Sequence, residues 1–369
     1  MQTIKLLSKD LEQLGELTEY VSLMFTRSWH EVGDFQLVIH REANLANEIQ
    51  KDCLIALNKN KVAIVKHREI QLDQNGKATE NWLFRGWTLK GLMDQRITVP
   101  PTNLAYDNKS GNAETVMKHY IDKHFVNPVD PKRKMPNLVI APNQNRGRYV
   151  NWQSRFKIVA EELTEISLAS DIGWDITLDT KNNQFVFEVF EGMDRSVNQN
   201  ERSNVYFSPE FGNVKTQSFT DSDINKRNVG YVGGQGEGVE REIIELGDAE
   251  GFERYETFID ARDIEDSSQL PERGQQKLNE MKNEMFFESQ IMSPNGVEPF
   301  VYEKDYFLGD IVTIMNREWG FIVDRRIAEI TEIYEAGGFR LDAVFGQSRP
   351  TLIEKLKRKF NELDNVLKQ

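Results

Sequence analysis

The sequence has a single cysteine, Cys53. It has no apolar run close to the length of a membrane-spanning helix, which is about 20 residues. One cysteine excludes disulfides within the chain and zinc sites built from cysteine alone. Residues 1–5 lack the apolar stretch of a signal peptide. These absences predict a protein that is made inside the cell and has no membrane anchor.

Basic residues are also scarce relative to acidic ones. The chain of 369 residues has 46 lysines and arginines against 59 aspartates and glutamates, which gives a formal net charge of -13. Such a balance argues against a protein that coats nucleic acid through a basic surface. Hydrophobic residues make up 39% of the chain, and its length predicts several domains with buried cores.

The first segment of the chain has the pattern of short strands. Phe35, Leu37 and Ile39 alternate with polar positions, which is typical of a strand with one buried face. Several such strands, separated by polar turns, predict a β-barrel-like domain over residues 1–105.

The remaining segments predict an α/β domain and then a second β-rich domain. Residues 106–198 combine amphipathic helices with a hairpin, and residues 199–346 return to short strands. The second β-barrel-like domain contains an inserted helix, predicted over 271–284 from the proline in its first turn. The expected fold class is multidomain and mainly β, with an α/β insertion and two barrel-like β domains.

Residues 347–369 predict a C-terminal helix with one apolar stripe. This stripe needs a partner, within the chain or on another subunit, because burial of each such side chain is worth about 1.5–3 kcal/mol. The predicted interface residues are Leu352, Leu356, Phe360 and Leu363, and Leu367 continues the stripe.

Two segments of the chain resemble each other. Residues 52–68 and 310–326 align without a gap, with five identities in 17 positions, and both predict a strand, a polar turn and a strand. This similarity has two explanations at this point: a coincidence between two hairpins, or two copies of one barrel.

Four stretches, in order along nearly the whole chain, resemble a family of tail-hub proteins of long-tailed, non-contractile phages and prophages. These stretches are residues 27–37 (RSWHEVGDFQL), 84–97 (FRGWTLKGLMDQRI), 232–241 (VGGQGEGVER) with 259–262 (IDAR), and 308–312 (LGDIV) with 326–330 (RIAEI) and 344–346 (VFG). The family is similar in fold to the N-terminal hub domain of tail-associated lysins and to the central baseplate hub of contractile phages.

The resemblance implies a structural virion protein, a homotrimeric ring that closes the distal end of the tail tube. Two barrels per subunit would give six units around a six-fold tube. The implied partners are the distal tail protein, the tail tube and tape-measure proteins, and receptor-binding or peripheral baseplate proteins. Genomic DNA would pass through without specific binding. The protein would be made in the host cytoplasm and located at the tail tip of the virion.

The sequence offers no convincing catalytic, cofactor or metal site. The glycine-rich run at 233–238 lacks the Lys-Ser/Thr of a phosphate-binding loop and is followed by acidic residues, so it predicts a turn with positive φ. His119 and His124 are five residues apart on a predicted helix and should not share a face. Residues 107–114 only weakly resemble a calcium loop. We therefore expect no enzyme activity, no cofactor and no metal.

Two alternatives to a structural hub remain open at the level of sequence. One is a cell-wall hydrolase built into such a hub; it lacks a catalytic constellation, and the long C-terminal extension of the lysins is absent from this sequence. The other is a carbohydrate- or receptor-binding tail module that uses Trp82, Trp87 and Trp152, although each of these is also explained as a core residue.

The segment 237–266 is unusually acidic, with twelve acidic residues against three basic ones. In a hub, this segment would form a negative wall toward the DNA channel. Its candidate lumen-facing residues are Glu237, Glu240, Glu242, Glu245, Glu253 and Asp260. An ordinary solvated face, or an outward face that meets a basic partner, would explain the same composition.

Overall fold

The computed structural model describes residues 2–72, 80–262, 264, 266–291 and 299–346. The chain is divided into two compact units. The first unit extends to Gln217 and resumes from Glu288 to Gly346, and the described residues of the second unit lie between 218 and 287.

The N-terminal segment forms seven strands. They are β1 (Ile4–Leu7), β2 (Gln13–Leu17), β3 (Ser22–Ser28), β4 (Asp34–His40), β5 (Leu54–Asn58), β6 (Lys61–Glu69) and β7 (Asn81–Thr88). The predicted alternation in β4 is confirmed, since Phe35, Leu37 and Ile39 are buried and the residues between them are half-buried. Cys53 is buried at the start of β5, as expected for a small core residue.

The hairpin of β5 and β6 is apolar on both faces because it lies between two cores. Leu54 and Ile64 belong to the core shared with the α/β segment, whereas Ile55 and Val65 belong to the core inside the N-terminal strands. A strand buried on both faces loses the polar half of the alternation. This explains the continuous apolar runs at these positions.

The α/β segment packs directly on that hairpin. Its elements are β8 (Asp107–Asn112), α1 (Ala113–Ile121), β9 (Leu138–Ile140), β10 (Tyr149–Ser154), α2 (Val159–Ser170), β11 (Gly173–Asp179) and β12 (Gln184–Phe190). The predicted hairpin of β11 and β12 is confirmed, and β9 adds to β12 in parallel. The apolar stripe of α2 is buried through Val159, Leu163 and Ile166.

The rest of the described chain is again mainly β. Its elements are β13 (Tyr206–Phe207), β14 (Val214–Ser222), β15 (Val229–Gly233), β16 (Ile243–Leu246), β17 (Glu256–Asp260), α3 (Leu270–Glu280), β18 (Glu284–Ile291), β19 (Ile311–Asn316), β20 (Phe321–Glu335) and β21 (Gly338–Gly346). The mainly β fold class with an α/β insertion is confirmed. The helix predicted over 271–284 ends earlier, at Glu280, because β18 starts at Glu284 and buries Phe286 and Phe287.

One strand order occurs twice in the large sheet. The first repeat has the order β3-β4-β7-β6-β5, and the second repeat has the order β14-β18-β21-β20-β19. In both repeats the first two strands, taken in chain order, pair with each other, and the fifth strand lies between the second and the fourth. Within the described residues the strand pairings form an open path and do not close into a ring.

The two repeats also share details of register. Asp52 and Gly309 both have positive φ, 70° and 90°, and they donate backbone hydrogen bonds to Val65 and Ile327 at 2.8 and 2.9 Å. In return, the backbone N–H of Val65 donates to the residue that follows Asp52, and the backbone N–H of Ile327 donates to the residue that follows Gly309. A β-bulge follows directly in both long strands, after Val65 in β6 and after Ile327 in β20. Agreement over five strands favours two copies of one domain over a coincidence between two hairpins.

The gapless alignment of the two hairpins is wrong in its register. It places Ile322 at the position of Ile64, but Ile64 faces Leu54 on β5 whereas Ile322 faces Met315 at the far end of β19. The turn between the strands is longer in the second repeat, so equivalent positions on the second strand are shifted. Structurally, Ile64 corresponds to Arg326.

The two repeats are joined through β3 and β20. These strands pair antiparallel over seven residues, from Ser22 opposite Glu335 to Ser28 opposite Glu329. On one face of this junction, the Lys61 Nζ lies 2.8 Å from carboxylate oxygens of both Glu332 and Glu303. Lys61 belongs to the first repeat and Glu332 to the second, so a buried ion pair joins the repeats.

A second buried lysine joins the sheet to the α/β segment. Lys90 donates from its Nζ to the backbone oxygens of Ser28 and Trp29 at 3.0 and 3.3 Å. The same nitrogen lies 4.2 Å from the centre of the Trp174 ring on β11. Burial lowers the pKa of Lys90 to about 7, although the nearby carboxylates of Asp175 and Glu31 oppose this shift.

The ion pair across the junction gives a first prediction. Lys61→Met should lower the free energy of unfolding of the first unit by about 3–5 kcal/mol, because Glu332, whose side chain is 4% exposed, loses its cation. Lys61→Met combined with Glu332→Gln should recover part of the loss. All six tryptophans lie in the first unit, so denaturant unfolding followed by tryptophan fluorescence measures it. Lys59→Met, at an exposed position, is the control. A double variant as unstable as Lys61→Met would contradict this account.

Lys90 gives a prediction on pH. In the folded protein the pKa of Lys90 is about 7, below the usual 10.5. Between pH 7 and pH 10.5 the unfolded chain therefore binds more protons at this residue than the folded chain does. The free energy of unfolding of the wild type relative to Lys90→Met should rise from pH 7 to 10.5, by at most about 1.4 kcal/mol per pH unit. It should be constant below pH 7. The same fluorescence measurement at several pH values tests this, and a pH-independent difference would be the contrary outcome.

Candidate functional site

The second unit, which contains the acidic segment, includes a three-stranded sheet covered on one face by a helix. β15 lies in the middle, antiparallel to β16 and parallel to β17. Val232, Ile259, Leu270 and Leu278 are buried in the core between this sheet and α3. The side chains that alternate with these on the strands must lie on the other face of the sheet.

Arg254 organises one part of that outer face. Its guanidinium lies 6.0 Å from the centre of the Tyr231 ring and donates to the Tyr231 hydroxyl at 2.9 Å. It also forms ion pairs with Glu245, at 2.7 Å, and with Glu256, at 2.5 Å. Two of the acidic side chains on the sheet are therefore balanced by one arginine.

Asp260 is held in the same way at the other part of the face. Arg241 lies 5.1 Å from the centre of the Phe258 ring and pairs with Asp260 at 2.6 Å, and Arg262 pairs with Asp260 at 2.7 Å. Partial burial raises the pKa of the Asp260 carboxyl, but the hydrogen bonds and charges of the two arginines outweigh it and lower the pKa overall. Asp260 thus has a structural role on this face.

The glycine-rich run forms the turn between β15 and β16, as the sequence predicts. Gly236 and Gly238 have φ of 98° and 55°, a region that favours glycine. A Cβ on Gly236 would lie 2.8 Å from the backbone oxygen of Glu240, so the turn has no room for a side chain there. The acidic side chains that follow the glycines would repel a phosphate group.

The six predicted acidic residues lie in three places. Glu245 and Asp260 are on the outer face of the sheet and are paired with arginines. Glu237, Glu240 and Glu242 are exposed on or beside the glycine turn, and Glu253 is exposed on the connection from β16 to β17. Four of the six therefore lie on or beside connections between strands, and two lie on the sheet.

Two exposed apolar side chains escaped the sequence analysis. Val239 is fully exposed on the glycine turn, and Phe252 is 92% exposed on the connection from β16 to β17. Because β15 is antiparallel to β16 and parallel to β17, these two connections lie at opposite ends of the sheet. Each stands in an acidic context in the sequence, which hid it from an analysis of apolar periodicity.

The predicted C-terminal interface residues Leu352, Leu356, Phe360 and Leu363 lie outside the described residues. The stripe, and the helix predicted to carry it, stay predictions.

The prediction that His119 and His124 do not share a face is wrong. Both rings contact Asp107, with Nε2 to carboxylate oxygen distances of 2.7 and 3.1 Å. Helix α1 continues as a π-helical turn over Asp122–Val126, and this wider turn brings residues five apart onto one face. Burial raises the pKa of Asp107, but the hydrogen bonds from the two histidines outweigh it and hold the pKa well below its usual value. The described part of the chain contains no group of side chains that could hold a metal ion.

The three tryptophans of the alternative binding module do not form one exposed surface. Trp152 is buried, and its indole nitrogen donates to Glu162. Trp82 is half-buried beneath the guanidinium of Arg68, and Trp87 is 37% exposed. Trp152 is therefore better explained as a core residue than as part of a binding surface.

Several solved structures have the same fold. The 43 kDa tail protein of prophage MuSo2 from Shewanella oneidensis matches with a TM-score of 0.58 and 12% identity, over 94% of this chain and 98% of that one. A tail protein from Neisseria meningitidis MC58 matches with a TM-score of 0.56 and 11% identity, over 94% and 97%. The prophage tail protein gp18 from Listeria monocytogenes EGD-e matches with a TM-score of 0.50 and 10% identity, over all of both chains. The fold is that of a phage tail protein.

The sequence places the chain within a family of that class. The family model described as Siphovirus ReqiPepy6 Gp37-like protein matches residues 3–347, and the chain belongs to this family. The search among curated proteins finds no match. In the described ranges, no helix is both long and apolar enough to cross a membrane.

Proposed function

We propose that the protein is the hub of the phage tail tip or baseplate, a homotrimeric ring that closes the distal end of the tail tube. The observation that carries this proposal is the repeated five-strand order within one chain. Three chains would supply six equivalent repeats, the number that a six-fold tube requires. The family match and the shared fold of prophage tail proteins support a place in the tail.

The partners follow from that position. The ring would contact the distal tail protein, the tail tube and the tape-measure protein, and it would carry receptor-binding or peripheral baseplate proteins. The protein would be made in the host cytoplasm and built into the virion at the tail tip. The exposed Val239 and Phe252, at opposite ends of the small sheet, are suited to contacts with such neighbours, because isolated apolar tips on a polar surface favour burial.

The proposed role is structural rather than catalytic. The nearest arrangement to a catalytic site is Asp107 with His119 and His124, and its carboxylate is already satisfied by both rings. The family and the solved relatives are tail proteins, which supports a role in assembly. Neither a hydrolase nor a sugar-binding module gains support from a specific contact.

We further propose that the exposed acidic turns of the second unit face the DNA channel. Glu237, Glu240 and Glu242 are exposed, whereas the acidic residues on the sheet are largely neutralised by arginines. Duplex DNA carries one phosphate per about 1.7 Å of its axis, so carboxylates on the wall would repel it. Salt screens this repulsion beyond about 8 Å at physiological ionic strength.

The assembly is tested on the purified protein. Its mass in solution should equal that of three chains, and negative-stain images should show a ring with a central hole. Three subunits are expected because each chain carries two repeats and a six-fold tube requires six. A chain that stays monomeric at high concentration and is monomeric when released from intact tails would overturn the hub, and a hexamer would contradict the count of two repeats per chain.

The acidic turn is tested by charge reversal in the phage. Changing Glu237, Glu240 and Glu242 to lysine should slow DNA ejection at low salt more than at high salt, because a basic wall attracts phosphate. The matched control reverses Glu12, Glu16 and Glu19, which are also exposed, on and around β2. An ejection rate that responds to neither the reversal nor the salt, in virions that assemble normally, would leave the acidity without this role.

A further inference from the structure

The α/β segment carries a basic surface in a chain that is acidic overall. Residues 127–160 contain seven lysines and arginines and a single acidic residue, Asp130. Arg96, Arg133 and Arg155 contact backbone oxygens and aromatic rings, and in the part of the chain that the structure describes none of them forms an ion pair. Burial and the charge of Arg96 lower the pKa of Arg133, and the charge of Asp130 offsets this effect only in part.

Backbone pairing brings the three arginines to one place. Arg96 donates from its Nε to the backbone oxygen of Arg133 at 3.1 Å, and Arg133 donates back to the residue after Arg96. Residues 96–98 pair with residues 156–159 through backbone hydrogen bonds of 2.8–3.0 Å. Arg155 directly precedes the second of these segments. Two arginines on one side of this pairing and one on the other therefore surround a short stretch of extended chain.

Apolar side chains are exposed beside these charges. Ile97 and Val99 are 41% and 37% exposed, since Thr98 between them is buried and its neighbours alternate outward. Phe156 is 55% exposed, and the guanidinium of Arg155 lies 5.3 Å from the centre of its ring. The φ of Phe156 is 53°, a conformation that is costly for an aromatic residue and that concentrates at functional sites. The structure thus holds an aromatic side chain in solvent at an energetic cost.

We propose that this surface binds an acidic segment of another tail protein, in which apolar side chains lie between the carboxylates. The surface, called here the arginine patch, consists of Arg96, Ile97, Arg133, Arg155 and Phe156. Arginine binds a carboxylate through two parallel hydrogen bonds, and the exposed apolar members bury the side chains between the carboxylates. This inference rests on the proposed function only in taking the partner from the tail, and it does not depend on the number of subunits.

Charge and surface chemistry select a protein segment as the occupant. DNA would approach against the field of a chain with a net charge of -13, and its phosphates gain nothing from the exposed Ile97 and Val99. Arginine and aromatic residues are enriched at the centres of protein interfaces, where both types contribute most to affinity. A second copy of this chain is less suited, because its most acidic segment, 237–266, faces the channel in the hub proposed above.

Photo-cross-linking in assembled virions tests the occupant. The photoreactive residue p-benzoylphenylalanine replaces Phe156, or Ile97 in a second variant that covers a failure of the first to fold. After irradiation, mass spectrometry identifies the peptide joined to the chain. We expect a peptide of another tail protein that carries several aspartates or glutamates. The same residue in place of Leu168, which is 49% exposed on α2, is the control and should not capture this peptide.

The charge dependence is tested in the same virions. Arg155→Glu should lower the yield of the cross-link from position 156 about tenfold or more, as expected for an arginine at the centre of an interface. Within the described residues the Arg155 guanidinium contacts two aromatic rings, so we expect this variant to fold, and tryptophan fluorescence during unfolding checks that it does. Lys9→Glu makes the same change of charge at an exposed position and should leave the yield unchanged.

The contrary outcomes are distinct. A cross-link to DNA, to a second copy of this chain or to a segment without carboxylates would overturn the proposal, and so would the absence of a cross-link in virions that contain the chain. A yield that does not change with Arg155→Glu, or that falls equally with Lys9→Glu, would overturn it too. Absence of the wild-type chain from purified virions would instead overturn the proposed function, from which the partner is taken.

Discussion

The pairing of β3 with β20 is the contact on which the rest of the first unit depends. It joins strands more than 300 residues apart in the chain and turns two five-strand repeats into one sheet. The ion pair of Lys61 with Glu332 lies across this junction, and its burial makes the pairing costly to disrupt.

The α/β segment depends on the same sheet. The β5 and β6 hairpin contributes one face to the core of the N-terminal strands and the other to the core under α1 and α2. Lys90 joins the same two layers through backbone oxygens and the Trp174 ring, without a carboxylate partner in contact. The insertion therefore shares its apolar core with the strands rather than forming one of its own.

The sequence predicted a mainly β chain, an α/β insertion and the tail-protein class, because alternation, amphipathic stripes and ordered motifs are local signals. It placed the glycine turn correctly, since the tolerance of positive φ is a property of glycine itself. It failed for His119 and His124, because a π-helical turn is not visible in a periodicity that assumes an α-helix. It also gave six acidic residues of the segment 237–266 the same role, because the arginine partners of Glu245 and Asp260 are brought together by the strands and cannot be recognised along the chain.

The internal repeat marks the boundary between the two kinds of information most clearly. By itself, the sequence determined that two segments predict similar hairpins, and its five identities left coincidence open. Only the tertiary structure decided that the likeness extends over five strands, with one bulge in the same place in each repeat and turns of different length. The physical reason is that strand order and register are set by pairing between distant residues, whereas a sequence pattern records only which side of each strand is buried.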